Sequence, residues 1–180
     1  MTRRGTSMVE LLVVLAILAV MTTIAVPKLR ISTRATVEQN ARVLAQDLDL
    51  ARTRAYGARA RVRTVINDTI WQFYLDQNRD STFAESATEQ TAFGTHYRRT
   101  LEKGVIMSRG LATRLPNDPD ATAPTGVRRL TFTARGITEP MGTAMFIYLT
   151  HAQDAGSVYA IEINPAANVR VWRWLNGGWQ

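Results

Sequence analysis

The sequence predicts an α+β protein: a long N-terminal helix, apolar in its first half and amphipathic in its second, packed on an antiparallel β-sheet head. Three observations predict it. The run from Met8 to Val26 is apolar apart from one carboxylate, Glu10, and two threonines, and its length is close to the ~20 residues a helix needs to cross a hydrocarbon core. Beyond it, Val37, Ala41, Leu44, Leu48, Ala51 and Ala55 recur at steps of four and three, which makes one apolar helical stripe. After Ala60 the period changes to two, and β-rich runs separated by turn residues fill the chain to its end.

Each element follows from its residues. Arg3 and Arg4 precede the apolar run, and arginines there favour leaving that end in the cytoplasm with the bulk of the chain outside. Pro27 removes one backbone hydrogen bond, so a bend is expected there rather than an end. Gly57 is the expected terminator of the second helical half. Arg61 to Ile66 and Ile70 to Leu75 read as a hairpin turning at Asn67-Asp68. Asp76 to Glu102 is polar and without period, and reads as a long surface loop. A short strand is expected over Val105 to Ser108, then a loop from Leu115 to Gly126 dense in proline and aspartate. Val127 to Ala134, Thr143 to Thr150, Ser157 to Asn164 and Val169 to Leu175 are four strands of an antiparallel meander.

Composition bounds the rest. The 180 residues leave room for one modest head behind the anchor. Cysteine is absent, so the head must be held by packing rather than by disulfides. Removing Arg3 and Arg4 with the first five residues lowers the net charge from +7 to +5, and a basic surface bears on association rather than on fold. Most arginines near the second helical half, with Glu38, Asp47 and Asp49 as counter-charges, read as a solvated face.

Glu10 is the residue that asks for an explanation. An unpaired carboxylate at membrane depth costs roughly 2 to 3 kcal/mol or more, and a chain cut after Gly5 would supply the cation, the new amine at Thr6 of a neighbouring copy. The order Arg3-Arg4-Gly5, a short polar step, Glu10 and a later proline resembles the class III signal of type IV pilins and type II secretion pseudopilins. Thr6 stands where that family usually has Phe or Met. The resemblance implies cleavage between Gly5 and Thr6 by a prepilin peptidase that also methylates the new N-terminus, assembly with other pilin or pseudopilin subunits through Glu10, and a helix kinked at Pro27. Ala51-Arg52, Ala55 and the segment Leu130 to Gly136 are similar to the GspH/FimT type. An ordinary secretory signal cut near Thr23-Ile24-Ala25 is the competing reading.

The implied division is a leader over 1–5, a transmembrane helix over 6–27, an amphipathic helix over 28–60 and a β-rich pilin-like head over 61–180. The implied location is the bacterial inner membrane, single-pass, with the head in the periplasm or at a filament tip. Pilins often close a C-terminal loop with a disulfide, so its absence, within this resemblance, leans away from a typical major pilin and toward a minor or pseudopilin-like subunit; the implied function is a minor pseudopilin of a type II secretion pseudopilus.

Chemistry finds little to work with. His96 and His151 read as loop or surface residues without a cysteine, nucleophile elbow or phosphate-binding loop beside them, so neither catalysis nor a cofactor is expected. Asp118 and Asp120 have a spacing that could contribute to a Ca²⁺ site but lack a glycine hinge and bidentate glutamate, and read as a polar turn. Arg170, Trp172, Arg173 and Trp174 interleave charge with aromatic surface, which is what single-stranded nucleic acid contacts use. Alternation puts Arg170, Trp172 and Trp174 on one face and Val171, Arg173 and Leu175 on the other. The resemblance lends the DNA reading weight, because some FimT-like minor pilins bind DNA through a basic C-terminal region. The competing reading makes the tryptophans a sheet cover or a subunit interface.

Overall fold

A computed structural model of the chain describes residues 8–28, 32–80, 86–95, 97–116, 126 and 128–180, with the side chains of Val9 and of residues 22–28 outside that description. The expected events at Gly5 and Thr6, His96, and the aspartates at 118 and 120 lie outside the described residues. The chain forms two compact units, one ending at Ser32 and one over Thr33–Gln180.

The first unit is helix α1, Met8–Lys28. Glu10 lies in its first turn and Pro27 in its last, and residues 29–31, between α1 and the second unit, are outside the described residues. Among the described residues no helix is long and apolar enough to cross a membrane, and the last third of the expected span is the stretch whose side chains are not described.

The second unit is α+β. Helix α2, Thr33–Ala58, buries the predicted stripe completely: Val37, Ala41, Leu44, Leu48, Ala51 and Ala55 are each 0% exposed. Three of these six are alanines, whose small side chains let the helix backbone lie close to the strands beneath. The helix ends in a Schellman motif, not at Gly57. Arg59 takes the left-handed conformation at φ 48°, its N–H reaches the Tyr56 carbonyl, and Ala60 N–H reaches the Ala55 carbonyl.

Two sheets share this helix, where a single meander was expected. Strands β1 (Val62–Ile66) and β2 (Ile70–Leu75) form the predicted hairpin, in register Val62 with Leu75 and Ile66 with Trp71. The polar stretch beyond it is not all loop: it holds helix α3, Ala87–Phe93, and strand β3, Arg98–Thr100. Helix α3 starts in a capping box, with Glu89 N–H on the Ser86 hydroxyl and Ser86 N–H on the Glu89 carboxylate. Its last residue, Phe93, stacks on Phe73 at 4.8 Å between ring centroids. Strands β4 (Val105–Ile106), β5 (Arg129–Phe132) and β6 (Thr138–Glu139) follow. Then come β7 (Met145–His151), β8 (Asp154–Ile163), β9 (Val169–Leu175) and β10 (Gly178–Trp179). The sheets run β3-β2-β1-β5-β6 and β10-β9-β8-β7-β4. The meander therefore holds for β7, β8 and β9, while β5 leaves it to pair with β1.

Two polar residues lie buried among the apolar ones of the α2 stripe. Asn40 is 4% exposed; its amide N–H donates to the Thr36 carbonyl at 2.9 Å and its oxygen accepts from Glu102 N–H at 3.2 Å. Asp47, expected on a solvated face, is also 4% exposed. Its Oδ2 accepts from Trp71 Nε1 at 2.9 Å and pairs with Arg99 Nε at 2.7 Å. A carboxylate can stand in the core only when paired in this way.

Asp47→Ala would strand the indole N–H of Trp71 in the core and strip Arg99 of its counter-charge. Urea denaturation should show a loss of about 2–4 kcal/mol with the slope unchanged. Asp49→Ala, on the exposed side of the same helix, should stay within about 0.5 kcal/mol; equal losses for the two variants would remove Asp47 as a keystone.

Candidate functional site

The residues singled out at the C-terminal end lie on β9, and the strand's register decides what they can do together. Arg170 pairs across from Glu162, Val171 from Ile161, Trp172 from Ala160 and Arg173 from Tyr159. Ile161 and Tyr159 belong to the core shared with α2, so Val171 and Arg173 share the helix side, and Arg170, Trp172 and Trp174 share the far side. The alternation is as expected, and it separates the two arginines onto opposite faces.

On the far side the tryptophans join an aromatic layer. Phe146, Tyr148 and Ala160 form a buried cluster against which Leu115, Ala144, Trp172 and Trp179 pack. Trp179 stands edge-on to Trp174, with centroids 5.2 Å apart and planes at 69°, and lies 6.2 Å from the Tyr148 ring. Both outer indoles are held by hydrogen bonds, Trp172 Nε1 to Glu162 Oε2 at 2.7 Å and Trp179 Nε1 to the Arg114 carbonyl at 2.6 Å. Trp179 reaches this layer because Asn176 and Gly177, at φ 52° and 80°, make a tight hairpin turn. Asn-Gly is the residue pair that such a turn selects, so the sequence signal for β10 was present and β10 was not among the predicted strands.

On the helix side the environment is ionic. Glu38 accepts from Arg42 at 2.7 and 3.0 Å and from the Tyr159 hydroxyl at 2.9 Å. Its carboxyl is held below the usual carboxylate range, first by the Arg42 hydrogen bonds, then by Tyr159, with Arg42 and Arg173 adding their positive charge. Farther along α2, Arg52 ties the two sheets together: its Nε donates to the Gly136 carbonyl at 3.1 Å and its Nη1 to Asn168 Oδ1 at 3.2 Å. Two open grooves of about 340 and 350 Å³ flank this tie, both touching Asp49 and Arg52.

His151 is buried, not on the surface. Its Nδ1 accepts the Gln153 N–H at 3.1 Å, and a Cβ at Gly104 would come within 2.3 Å of Nε2, so the imidazole is a packed turn residue. Among the described residues no group of three or more His, Cys, Asp or Glu is placed to hold a metal ion. The arrangement offers surfaces for contact, one aromatic and one ionic.

No protein-family profile matches the chain, and no curated protein matches it. Among solved structures the chain is similar to one described as the minor pseudopilin EpsH from the type 2 secretion system of Vibrio cholerae, at 12% identity and TM-score 0.48, over 75% of this chain and 94% of that one. A second structure of that pseudopilin is similar at 11% identity and TM-score 0.44, over 78% of this chain and 95% of that one. At these values neither likeness carries an argument about what the chain does.

The aromatic layer contains one hydroxyl that generates a prediction. Tyr148 is 1% exposed, its oxygen has no hydrogen-bond partner among the described residues, and burial pushes its pKa up to about 12 from 10.0. The folded state thus prefers the neutral phenol, so this stability is full below pH 10 and is lost as pH rises through about 12. Tyr159, also pushed up by burial, adds to the same alkaline loss. Tyr148→Phe should be neutral to stabilising by about 1 kcal/mol at pH 7. It should also retain on the order of 2 kcal/mol more than the unaltered chain near pH 12; parallel pH profiles of thermal unfolding would refute the orphan hydroxyl.

Proposed function

We propose that the chain is a pilin-like structural subunit, a minor pseudopilin that assembles into a type II secretion pseudopilus through its N-terminal helix. The observation that carries the reading is Glu10, in the first turn of a 21-residue helix whose other described side chains are all apolar and exposed. A helix that is apolar all round needs either a protein core or a bilayer around it. A carboxylate near its start needs a cation at the same depth. The arginines and glycine that precede it supply the peptidase signal, and the amine freed at Thr6 supplies the cation. In this reading the chain is single-pass in the bacterial inner membrane, cut between Gly5 and Thr6 and methylated there. Its long helix bends at Pro27, and its head stands in the periplasm or at the tip of the filament.

The alternative is a minor pilin of a type IV pilus that binds DNA through β9. The register favours the structural reading, because Arg170 and Arg173 face opposite ways and Trp172 and Trp179 are bonded into the head. Arg173 lies on the face opposite the tryptophans, which leaves Arg170 as the one arginine of β9 beside them.

Two measurements test the proposal. Mass spectrometry of the membrane-extracted chain should find Thr6 at the N-terminus, with a methyl group on the amine; a mature chain beginning at Val26 would remove the anchor. Glu10→Ala should insert normally yet drop at least about tenfold in sheared filaments, because each neighbouring amine then loses its counter-charge at membrane depth. Unchanged recovery would show that assembly does not use the carboxylate.

A further inference from the structure

The first turns of α2 carry Arg34, Glu38 and Arg42 at successive four-residue steps, on one side of the helix. Facing them, β8 and β9 place Tyr159 and Arg173 directly across from each other. The carboxylate of Glu38 is at the centre, with one oxygen taken by Arg42 and the other by the Tyr159 hydroxyl. Arg34 hydrogen-bonds to Tyr159 as well. Arg42 and Arg173 thus act on this carboxylate and Arg34 on its tyrosine partner, leaving positive charge in excess. The buried Nε of Arg173 has no hydrogen-bond partner among the described residues. Asp154, which the Thr33 hydroxyl reaches from the start of α2, adds a second negative charge, which still leaves three guanidinium groups to two carboxylates.

We infer that the cluster of Arg34, Arg42 and Arg173 around Glu38 is a binding site for a phosphate-bearing anion, of the class of an anionic phospholipid headgroup. Guanidinium groups match the geometry of phosphate oxygens and hold them with paired, charge-assisted hydrogen bonds. A buried donor without an acceptor is costly, and an incoming oxyanion would supply one. The choice of a lipid rests on the membrane reading of α1 given above, since a chain held in a bilayer is surrounded by phosphate-bearing headgroups.

The experiment uses the full chain, labelled with ¹⁵N-arginine, in neutral maltoside micelles. Short-chain phosphatidylglycerol, phosphatidylcholine of the same chain length, and inorganic phosphate matched in ionic strength with chloride are titrated in separately. Phosphatidylglycerol should move the Arg173 Nε–H resonance and weaken with added salt. Arg34→Gln and Arg173→Gln should each reduce its affinity about fivefold. Arg173→Lys should recover part of that loss, and Arg63→Gln and Arg129→Gln, on the other sheet, should have no effect. Equal binding of the two lipids with Arg173 unmoved would overturn the site, as would an equal loss in the control variants. A shift with inorganic phosphate alone would overturn the headgroup and leave a small-anion site. If the chain proves soluble without detergent, the membrane reading fails, while the phosphate titration still decides the arginine cluster. Thermal melts of each variant separate lost binding from lost folding.

Discussion

One face of α2 has to serve two sheets, and that requirement orders the head. The stripe from Val37 to Ala55 is the only helical surface available to the inner faces of both β1-β2-β5 and β7-β8-β9 among the described residues. Because the stripe is rich in alanine, the strands approach the helix backbone closely, and sequence changes there would be felt by both sheets at once. The polar side chains on the helix take up what the apolar ones cannot fix. Asp47 sets the first sheet through Trp71 and Arg99, Asn40 sets the chain after β3, and Arg52 joins the turn after β5 to the turn after β8. Buried apolar area is indifferent to direction, whereas these bonds admit only one placement of each sheet. In a head without cysteine they do part of the positioning that cross-links would do.

The face of α2 that the sheets leave uncovered is equally informative. Its early turns lead into the ionic network with Tyr159 and Arg173, and its later turns into the grooves beside Arg52. The aromatic layer on the far side of the second sheet is built differently, from rings locked to one another and to Glu162 and Arg114. An indole whose N–H is already bonded loses a hydrogen bond when it is recruited to a new partner. The ionic surface, with solvent-exposed Arg42 and a donor on Arg173 that has no partner among the described residues, is the more adaptable of the two.

Helical periodicity made α2 legible in the sequence, because six apolar residues at steps of three and four have few other interpretations. The same rule hid Asp47 and Asn40, since polar residues within a stripe count against burial until their partners are known, and Trp71 and Arg99 are distant in sequence. Strand alternation located most strands and the faces of β9, yet alternation does not say which strand lies beside which. Hence β5, expected in the meander, pairs with β1. The capping box at Ser86 and Glu89 and the Asn176-Gly177 turn were both written in the chain, the first obscured by a polar, aperiodic stretch. Gly57 was the natural choice to end α2, but Arg59 two residues later adopts the left-handed conformation instead, which no composition rule favours.

The four tryptophans fall into two optical environments. Trp71 is 1% exposed at the junction of helix and first sheet, with its indole N–H on a buried carboxylate, whereas Trp172, Trp174 and Trp179 are partly exposed and crowd one hairpin of the second. Intrinsic fluorescence of this chain is therefore two reporters superposed. Replacing the three hairpin tryptophans with phenylalanine would leave a single emitter that sees only the keystone of the core, and subtraction would give the hairpin's own signal. Whether the two sheets come apart together or in sequence can then be read from one cuvette without any added label.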